Sequence, residues 1–483
     1  MSLVLHNTLT GAKEPFRSLN PKQACLPVRQ VRMYSCGPTV YSHPHIGNFR
    51  SFIASDVLRR YLEYLDYKVV QIMNITDVGH LTTDDQISGG AGEDKIQAAA
   101  LRENKSPTEI ARFYETEFLE LAKLLNLRPA TKYPRATEHI PEMIDLIQKL
   151  ISGGYAYVVN GNVYFEVAQF PDYGKLSGNT MENLLAGARI EVNPEKRSPL
   201  DFALWKQDPK HLMQWDSPWG RGFPGWHIEC SAMSLKYLGA GQIDIHTGGE
   251  DNIFPHHESE IAQSEAATGQ PFVRYWFHTR HLLVDNQKMS KSLGNFYTVR
   301  DIMSKGYHPL VLRYALLNTH YRQQLNFTME SLNGARSALE RLRDFKQRLE
   351  ESRQKAIANS QKGLPKLLQE TQEGFEEAMN DDLNISEALA VIFEMVREVN
   401  KMDLSRDEAE LTLGALERVD SVLGVLSTGE GNLEAEVEKL IEERQQARRA
   451  KDYAKSDALR AQLDKMGIIL EDTPQGIRWK RKI

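Results

Sequence analysis

The stretch "YSCGPTVYSHPHIGN", Tyr34 to Asn48, decides the fold. It follows the apolar run "VRMYSCG" of strand character, and it opens the segment "GNFRSFIASDVLRRYLEYLD", whose apolar residues recur at helical spacing. A second apolar run, "YKVVQIMNIT", comes next. Strand, turn, helix and strand in this order predict a βαβ unit of a parallel sheet. The turn therefore lies where α/β sheets bind nucleotides, because free backbone N–H groups at a helix start face anions.

The same turn leaves three kinds of chemistry open: a metal site, a thiol nucleophile with its base, or a phosphate-binding loop. It carries Cys36, His43 and His45, and Gly47 allows a ligand close to the backbone. The two imidazoles and the Asn48 amide can donate hydrogen bonds to phosphates. A histidine near a strand end often only packs locally, so the turn alone does not decide. The absence of G-x-G-x-x-G disfavours the usual dinucleotide-binding fold.

Composition narrows the class of protein. The chain has 483 residues, enough for about three domains, and a formal net charge of -6. This charge argues against a surface that coats nucleic acid throughout, but it leaves room for a local basic site. Three cysteines are too few for a disulfide framework, and no apolar run has the length of a signal-peptide core or a membrane span. We expect a soluble, cytoplasmic protein without a membrane partner.

The pattern changes along the chain. The sheet resumes after residue 210 or so with "QIDIHTGG", the helical "PHHESEIAQSEAATG" and "RYWFHTRHLLV". Between the two parts, an Asn160-Gly161 turn predicts a hairpin that belongs to an insertion. From about Ser331, segments rich in Glu, Lys, Arg, Leu and Ala predict a helical bundle. The polar linker "STGEGN" then leads to a last helical unit that closes in "GIILEDTPQGIRWKRKI".

A second motif, "KMSKS", begins at Lys288. Its two lysines, Lys288 and Lys291, lie on a loop that follows the apolar "HLLV" and can move toward a departing pyrophosphate. Taken alone, a lysine pair is more often a solvated surface feature. Together and in this order, however, "HIGN" and "KMSKS" resemble the two signatures of class I aminoacyl-tRNA synthetases.

Further motifs narrow the resemblance to the cysteinyl-tRNA synthetase family. They are "YSCGPTVY", "NITD", "PGWHIECSAM", "FPHHESE" and "KMSKSLGN", with "DDLNIS", "KDYAKSDALRAQL" and "GIILEDTPQGIRW" extending the likeness over nearly the whole chain. The resemblance implies an α/β Rossmann-type class I catalytic domain with an inserted connective domain, an α-helical bundle and a small C-terminal anticodon-binding unit. The expected boundaries are 1–130 and 206–290 for the two catalytic halves, 131–205 for the insertion, 291–330 for the KMSKS loop and stem-contact region, 331–426 for the bundle and 433–483 for the anticodon-binding unit.

The resemblance also implies which residues form the nucleotide and amino-acid sites. Catalysis is expected from His45, Asn48, Lys288 and Lys291. ATP, accompanied by Mg²⁺, is expected to contact His43, His45, Gly47, Asn48, Asp251, Lys288 and Lys291. Cysteine is expected to contact Gly37, Thr76, Trp226 and His246, although a tryptophan such as Trp226 is usually ordinary core.

A metal site is suggested by residues that are distant in sequence. His256 and Glu260 are four apart on a helix predicted to begin after Pro255, so they share one face. With Cys36 and Cys230 they form a chemically sensible zinc set. Spacing alone supports it weakly, because there is no C-x-x-C and buried structural cysteines are common. The resemblance implies one zinc ion per chain on these four residues. Such a metal would distinguish the thiolate of cysteine from the hydroxyl of serine. The two amino acids are isosteres, and the shape of a pocket alone discriminates between them only about a hundredfold.

The C-terminal helix predicts an RNA contact. A solvated charged helix is its simplest interpretation, but arginines bind phosphates or base edges, an aromatic ring stacks on an unpaired base and a carboxylate accepts from base amino groups. The resemblance assigns anticodon recognition to this region. The matching positions are Arg448, Tyr453, Asp457, Arg460 and Asp472.

The implied function is ATP-dependent ligation of L-cysteine to the cysteine tRNA by a monomer. Two alternatives remain: a ligase that joins activated cysteine to an amino-sugar thiol precursor, and a silent paralogue that only binds RNA or nucleotide. The intact C-terminal motifs disfavour the first, and the complete lysine and metal-ligand sets disfavour the second. The chain departs from the family pattern at Asn48, where a histidine is usual, and at Tyr453, where relatives can have tryptophan. It also carries Thr247 and Glu250 where many relatives have glycine and a small residue.

Overall fold

The computed structural model describes residues 2–19, 29–79, 94–180, 182–184, 193–239, 241–290, 293–354, 361, 363–426, 431–449, 452–465, 468–473 and 476–481. Up to the KMSKS loop, the described elements are, in chain order, β1 Val4–Asn7, β2 Ala12–Pro15, β3 Arg29–Ser35, α1 Ile46–Tyr64, β4 Tyr67–Met73, α2 Lys95–Glu103, α3 Pro107–Leu124, α4 Ile140–Ser152, β5 Ala156–Val159, β6 Asn162–Phe165, β7 Phe202–Lys206, β8 Phe223–Pro224, α5 Trp226–Leu238, β9 Ile243–Gly249, α6 Glu258–Thr268, β10 Val273–Thr279, β11 Leu282–Val284 and β12 Gln287–Lys288.

The elements after that loop are mainly helical. They are α7 Val299–Ser304, α8 Pro309–Leu317, β13 Leu325–Phe327, α9 Met329–Ser352, α10 Leu364–Asn380, α11 Ile385–Val399, α12 Arg406–Leu423, α13 Gly431–Arg449, α14 Tyr453–Lys465, β14 Ile468–Thr473 and β15 Gly476–Arg481. None of the described helices has the length and apolar character needed to cross a membrane.

A four-stranded parallel sheet organises the first half of the molecule. Its strands run in the order β10, β9, β3, β4. The chain leaves β3 toward β4 on one side and later returns to β9 on the other, so the strand order reverses between β3 and β9. Open α/β sheets bind ligands at the carboxyl ends of the strands beside such a reversal. The predicted βαβ unit and its position relative to the turn are thus confirmed.

The insertion forms an antiparallel sheet of its own, with strand order β5, β6, β7, β8. The predicted hairpin is present: β5 and β6 pair across Asn160 and Gly161, whose φ angles are 49° and 83°. Both turn residues therefore adopt the left-handed backbone conformation that an Asn-Gly turn supplies.

Two local predictions differ from the structure. The run "RYWFHTRHLLV", expected to resume the catalytic sheet, is divided into β10, which joins that sheet, and β11, which does not. At the break, the backbone N–H of Arg280 donates to the carbonyl of Tyr321, and β11 joins a separate sheet with β12 and β13. At the other end of the chain, the closing stretch forms the antiparallel hairpin of β14 and β15 rather than continuing the helical unit.

The catalytic sheet and the bundle are joined by a buried ionic group, which we call the arginine joint: Asp56, Arg60 and Arg313. The Asp56 carboxylate lies 2.6 Å from Arg313 Nη2 and 2.7 Å from Arg60 Nε, and the three residues are at most 6% exposed. Arg313 Nε also donates to the carbonyl of Leu423 at the end of α12, at 2.8 Å. The joint therefore fixes α1, α8 and α12 to one another.

Candidate active site and metal centre

The turn before α1 is closed by its own motif. His45 is the N-cap residue; its Nδ1 accepts from the backbone N–H of Asn48 at 3.2 Å, and its backbone N–H donates to Asn48 Oδ1 at 3.1 Å. This reciprocal capping leaves the imidazole proton on Nε2 and the amide NH₂ of Asn48 as the donor group. An asparagine can thus take this position because it completes the cap while still offering hydrogen-bond donors.

The KMSKS loop packs directly against this turn. The backbone N–H of Ile46 donates to the Tyr297 carbonyl at 3.0 Å, and the rings of His45 and Phe296 meet edge to face with centroids 5.3 Å apart. A side chain at Gly47 would come within 3.4 Å of Met289, the second residue of the motif. The structure thus brings the two signatures together.

The loop itself is held by an asparagine just beyond the motif. Asn295 Oδ1 accepts from the backbone N–H of Ser290 at 2.8 Å, and its Nδ2 donates to the Lys288 carbonyl at 3.2 Å. The Lys288 side chain is exposed at the end of β12, whereas Lys291 lies outside the described residues.

His43 lies beside the turn but is held by α3. Its Nδ1 is 2.6 Å from Glu117 Oε2, and its ring packs edge-on against Tyr114 with centroids 5.2 Å apart. Glu117 also binds Arg300 Nε at 2.8 Å. The His43 side chain is 54% exposed, so its Nε2 edge remains at the surface near the expected phosphates.

The departure at Thr247 has a structural explanation. Its hydroxyl accepts from Ser55 Oγ at 2.8 Å and donates to Ser35 Oγ at 2.9 Å, and Ser35 in turn accepts from Gln71. The threonine thus completes a buried hydrogen-bond chain across β9, β3 and α1. Asp251, expected at the nucleotide, lies exposed in the short turn after β9.

The four predicted metal ligands meet in the fold; we call them the donor cluster. One donor atom each from Cys36, Cys230, His256 and Glu260 lies within 4.8 Å of the others. Cys36 follows β3, Cys230 lies on α5, and α6 carries Glu260 one turn after His256. Glu260 is fully buried, and His256 Nε2 lies 3.0 Å from its Oε1.

A second donor set shares part of this centre and was not anticipated. His246 and His257 lie with Cys36 and Glu260 within the same 4.8 Å limit. His257 Nε2 is 3.2 Å from Cys36 Sγ, and His246 Nε2 is 3.0 Å from Glu260 Oε2. The histidine doublet three and four residues before Glu260 was the signal in the sequence, since both positions can reach that carboxylate.

The pKa values of the four donors show how burial and their mutual contacts affect their ionisation. Burial raises the pKa of Cys36 and raises that of Cys230 well above its ordinary value. Burial lowers the pKa of His256, but hydrogen bonds and charges from Cys230 and Glu260 outweigh it and raise the pKa to about 10. Burial acts to raise the pKa of Glu260, yet His246 and His256 bring it down to about 2. Buried thiols of this kind ionise when a cation joins them, so the cluster fits a zinc ion chemically.

Of the four residues predicted to bind cysteine, Trp226 and His246 contact members of the donor cluster. A Cβ on Gly37 would lie 1.7 Å from the Asn74 carbonyl oxygen, so only glycine fits there. The Thr76 hydroxyl accepts from Asn74 Nδ2 at 3.0 Å and is buried. Trp226 is partly exposed and stacks on His256 with ring centroids 4.0 Å apart, which places it at the cluster rather than in the core. His246, through its contact with Glu260, is part of the same centre.

The residues expected to contact the anticodon fall on the last helices. Tyr453, Asp457 and Arg460 are spaced by four and three along α14, so they share one face, and all three are exposed. Arg448 is exposed in the last turn of α13, and Asp472 lies in β14. An exposed aromatic ring such as that of Tyr453 is suited to base stacking.

Comparison with known proteins gives first the class. Residues 23–337 match the family described as the tRNA synthetases class I (C) catalytic domain. Two solved structures of Mycobacterium tuberculosis methionyl-tRNA synthetase with methionyl-adenylate share the fold, and each match covers 83% of this chain. The first has a TM-score of 0.57 and 14% identity and is covered to 90% of its length. The second has a TM-score of 0.58 and 15% identity and is covered to 93%. The sheet and the paired signatures are thus those of a class I aminoacyl-tRNA synthetase, as expected.

The particular family follows from the rest of the chain. Residues 374–427 match the DALR domain, and residues 430–479 match the cysteinyl-tRNA ligase anticodon binding domain. The cysteine–tRNA ligase of Caldicellulosiruptor saccharolyticus is 47% identical over 484 residues and that of Pelotomaculum thermopropionicum 43% identical over 504 residues, each at 99% coverage of both chains. This chain belongs to the cysteine–tRNA ligase family.

Proposed function

We propose that the protein activates L-cysteine with ATP and transfers the cysteinyl group to the cysteine tRNA. The cysteine carboxylate attacks the α-phosphate of ATP, and pyrophosphate leaves. A ribose hydroxyl of the terminal adenosine of the tRNA then attacks the cysteinyl carbonyl, and AMP leaves. The observation that supports this function best is the position of the donor cluster at the same sheet edge as the phosphate turn, with Cys36 and His45 on one loop.

The chain's own groups act by positioning and charge. We assign His45 Nε2 and the Asn48 amide to the phosphates, and Lys288 and Lys291 to the departing pyrophosphate, with Mg²⁺ accompanying ATP. Because His45 and Asn48 are already locked by mutual capping, their donors need no reorganisation when ATP binds. Asp251, exposed after β9, is our candidate for the ribose or adenine side, and His43 and Gly47 complete the expected ATP contacts.

We assign one zinc ion to Cys36, Cys230, His256 and Glu260. Of the two donor sets, this one has two thiolates, and softer ligands favour zinc over harder divalent cations. A bound zinc would supply a site that accepts the substrate's thiolate and disfavours a hydroxyl. Gly37, Thr76, Trp226 and His246 would then bind and orient the amino acid around it.

The tRNA end of the proposal uses the exposed face of α14. Tyr453 would stack on an unpaired base, Arg448 and Arg460 would bind phosphates or base edges, and Asp457 and Asp472 would accept from base amino groups. The anticodon-binding match over residues 430–479 disfavours the amino-sugar ligase, which has no use for such a unit. A monomer in the cytoplasm and the domain boundaries given above remain predictions.

Cysteine-dependent exchange of pyrophosphate into ATP, followed by cysteinylation of tRNA, tests the assignment. The wild-type chain should catalyse both the exchange and the cysteinylation of tRNA. A silent binder would catalyse neither reaction, and an amino-sugar ligase would catalyse only the exchange. Lys291→Ala should slow adenylate formation by roughly a hundredfold or more, as loss of a donor to transition-state charge does. The dissociation constant for cysteine should change little. An equal or opposite pattern would contradict the role of the lysine, and an exposed lysine on α10, Lys366, supplies the matched control.

A further inference from the structure

Glu250 places a negative charge at the edge of the sheet where a triphosphate is expected. It follows Gly249, the last residue of β9, and β9 borders the reversal of strand order. A carboxylate directed at the phosphates would oppose their binding. Its side chain is only 21% exposed, however, and its partners show that it is engaged elsewhere.

Three donors from two adjacent residues converge on this carboxylate. The backbone N–H of His281 donates to Oε1 at 2.8 Å, and Arg280 Nε lies 3.3 Å from Oε2. His281 Nδ1 also contacts Oε1. The charge of Glu250 is therefore matched locally, and the carboxylate holds the connection between β10 and β11.

That connection leads directly to the KMSKS loop. Arg280 and His281 are the only residues between β10 and β11, and β11 pairs with β12, which ends at Lys288. Lys288 is seven residues from His281, and residues 282–284 and 287–288 between them belong to strands. Because these strands form a hairpin, a shift of the connection moves the hairpin with it.

The opposite side of the connection is held as well. The backbone N–H of Arg280 donates to the Tyr321 carbonyl at 2.8 Å, and His281 Nε2 lies 3.1 Å from Gln324 Nε2. The 320–324 loop is in turn fixed to α1, because Arg50 Nη2 lies 3.3 Å from the His320 carbonyl oxygen. Glu250 supplies the contact from β9, the strand beside the expected nucleotide.

We propose that Glu250 is a positioning residue that sets the KMSKS hairpin at its working distance from the nucleotide, through the Arg280–His281 connection. The inference rests on the proposed function of the site. Because the lysines act as charge develops on pyrophosphate, a displaced hairpin lowers the rate of adenylate formation more than it changes the binding of cysteine.

The test compares Glu250→Ala and Glu250→Gln in pyrophosphate exchange, with Glu330→Gln, an exposed carboxylate on α9, as the control. Glu250→Ala should lower kcat by about tenfold or more, since a misplacement of about 1 Å can cost a hundredfold. The KM for cysteine should stay within about twofold. Glu250→Gln keeps an acceptor for the His281 N–H and should fall between Glu250→Ala and the wild type.

A double-mutant cycle separates positioning from direct contact with ATP. If Glu250 acts through the connection, Glu250→Ala and Arg280→Ala are non-additive, and the double variant loses little more than the worse single variant. Additive losses would overturn the proposal, as would an effect confined to the KM for cysteine.

Trypsin cleavage after Lys288 supplies a readout that does not depend on activity. It should be several-fold faster in Glu250→Ala than in Glu330→Gln, with thermal unfolding midpoints confirming that both variants are folded. Unchanged cleavage with unchanged exchange would overturn the inference while leaving the proposed function intact. A wild-type chain without exchange would instead contradict the proposed function.

Discussion

The donor cluster and the arginine joint are both buried polar groups, yet they differ in one respect. In the joint, the Asp56 carboxylate is shared by Arg60 and Arg313 at 2.6–2.7 Å, and Arg313 also donates to the Leu423 carbonyl. In the donor cluster, two thiols, an imidazole and a carboxylate direct their donor atoms toward one another. The comparison teaches that a carboxylate held between two guanidiniums fixes packing, whereas four metal-ligand side chains within 4.8 Å of one another, two of them thiols, form a set that a cation can bind.

Removing one ligand should break the cluster completely. Cys230→Ala takes away one of the two thiolates, so we expect zinc content to fall from about one per chain toward zero. Cysteine-dependent exchange should be lost with it. Metal analysis of the purified protein measures the first effect. His257→Asn belongs only to the second donor set and is the matched control; if it releases zinc while Cys230→Ala does not, the second set binds the metal.

Removing one partner should break the joint in a different way. Arg313→Ala leaves Asp56 buried with an incomplete set of partners and should cost about 3–5 kcal/mol of stability. Zinc content of the folded fraction should not change. Urea unfolding compares it with Arg397→Ala, an exposed arginine paired with Glu394 and Glu398, whose loss should cost at most about 1 kcal/mol. Equal effects of the two variants would show that the joint is not a special contact.

The joint should also respond to pH with a definite sign. Burial acts to raise the pKa of Asp56, but Arg313 and Arg60 outweigh it and hold the pKa below its ordinary value. Its stabilising contribution is therefore complete above the unfolded pKa of about 3.9 and is lost as pH falls toward the folded pKa. The difference in unfolding midpoint between wild type and Asp56→Asn should be constant from pH 7 to 5 and narrow below about pH 4. A difference that grows on acidification would refute this sign.

The smallest effect is expected for a third buried polar group. Thr247→Val keeps the shape of the side chain and removes the hydroxyl that links Ser55 to Ser35, which should cost about 1 kcal/mol. Zinc content and exchange should persist, because the backbone contact from Cys36 to the Thr247 carbonyl remains. Loss of the metal in this variant would place the hydroxyl chain within the metal centre.

The sequence predicted the elements whose signal is local. Helical spacing after the turn, the apolar runs on either side and the Asn-Gly pair identify α1, β3, β4 and the hairpin of the insertion, because each depends on neighbours along the chain. The division of β10 from β11 could not be predicted in this way. It depends on Tyr321 and Glu250, which are distant in sequence from Arg280.

The site shows the same limit. His256 and Glu260 are paired by their spacing, but only the resemblance joins them to Cys36 and Cys230, since no spacing rule connects these cysteines with the helix or with each other. The sequence prediction does not include His257, whose contacts with Cys36 and His278 depend on the packing of β3 and β10. The partners of Glu250 could not be predicted from the sequence either, because its charge alone does not show which donors surround it.

Helix α1 connects the arginine joint rigidly to the turn at His45. It begins at the capped turn of His45 and carries Asp56 and Arg60 in its second half, so a single rod of about 28 Å runs from this turn to the bundle. A continuous helix resists bending more than it resists tilting. Any rotation of α12 transmitted through Arg313 would therefore act as on a lever, and the turn proposed to bind the triphosphate would swing at its far end.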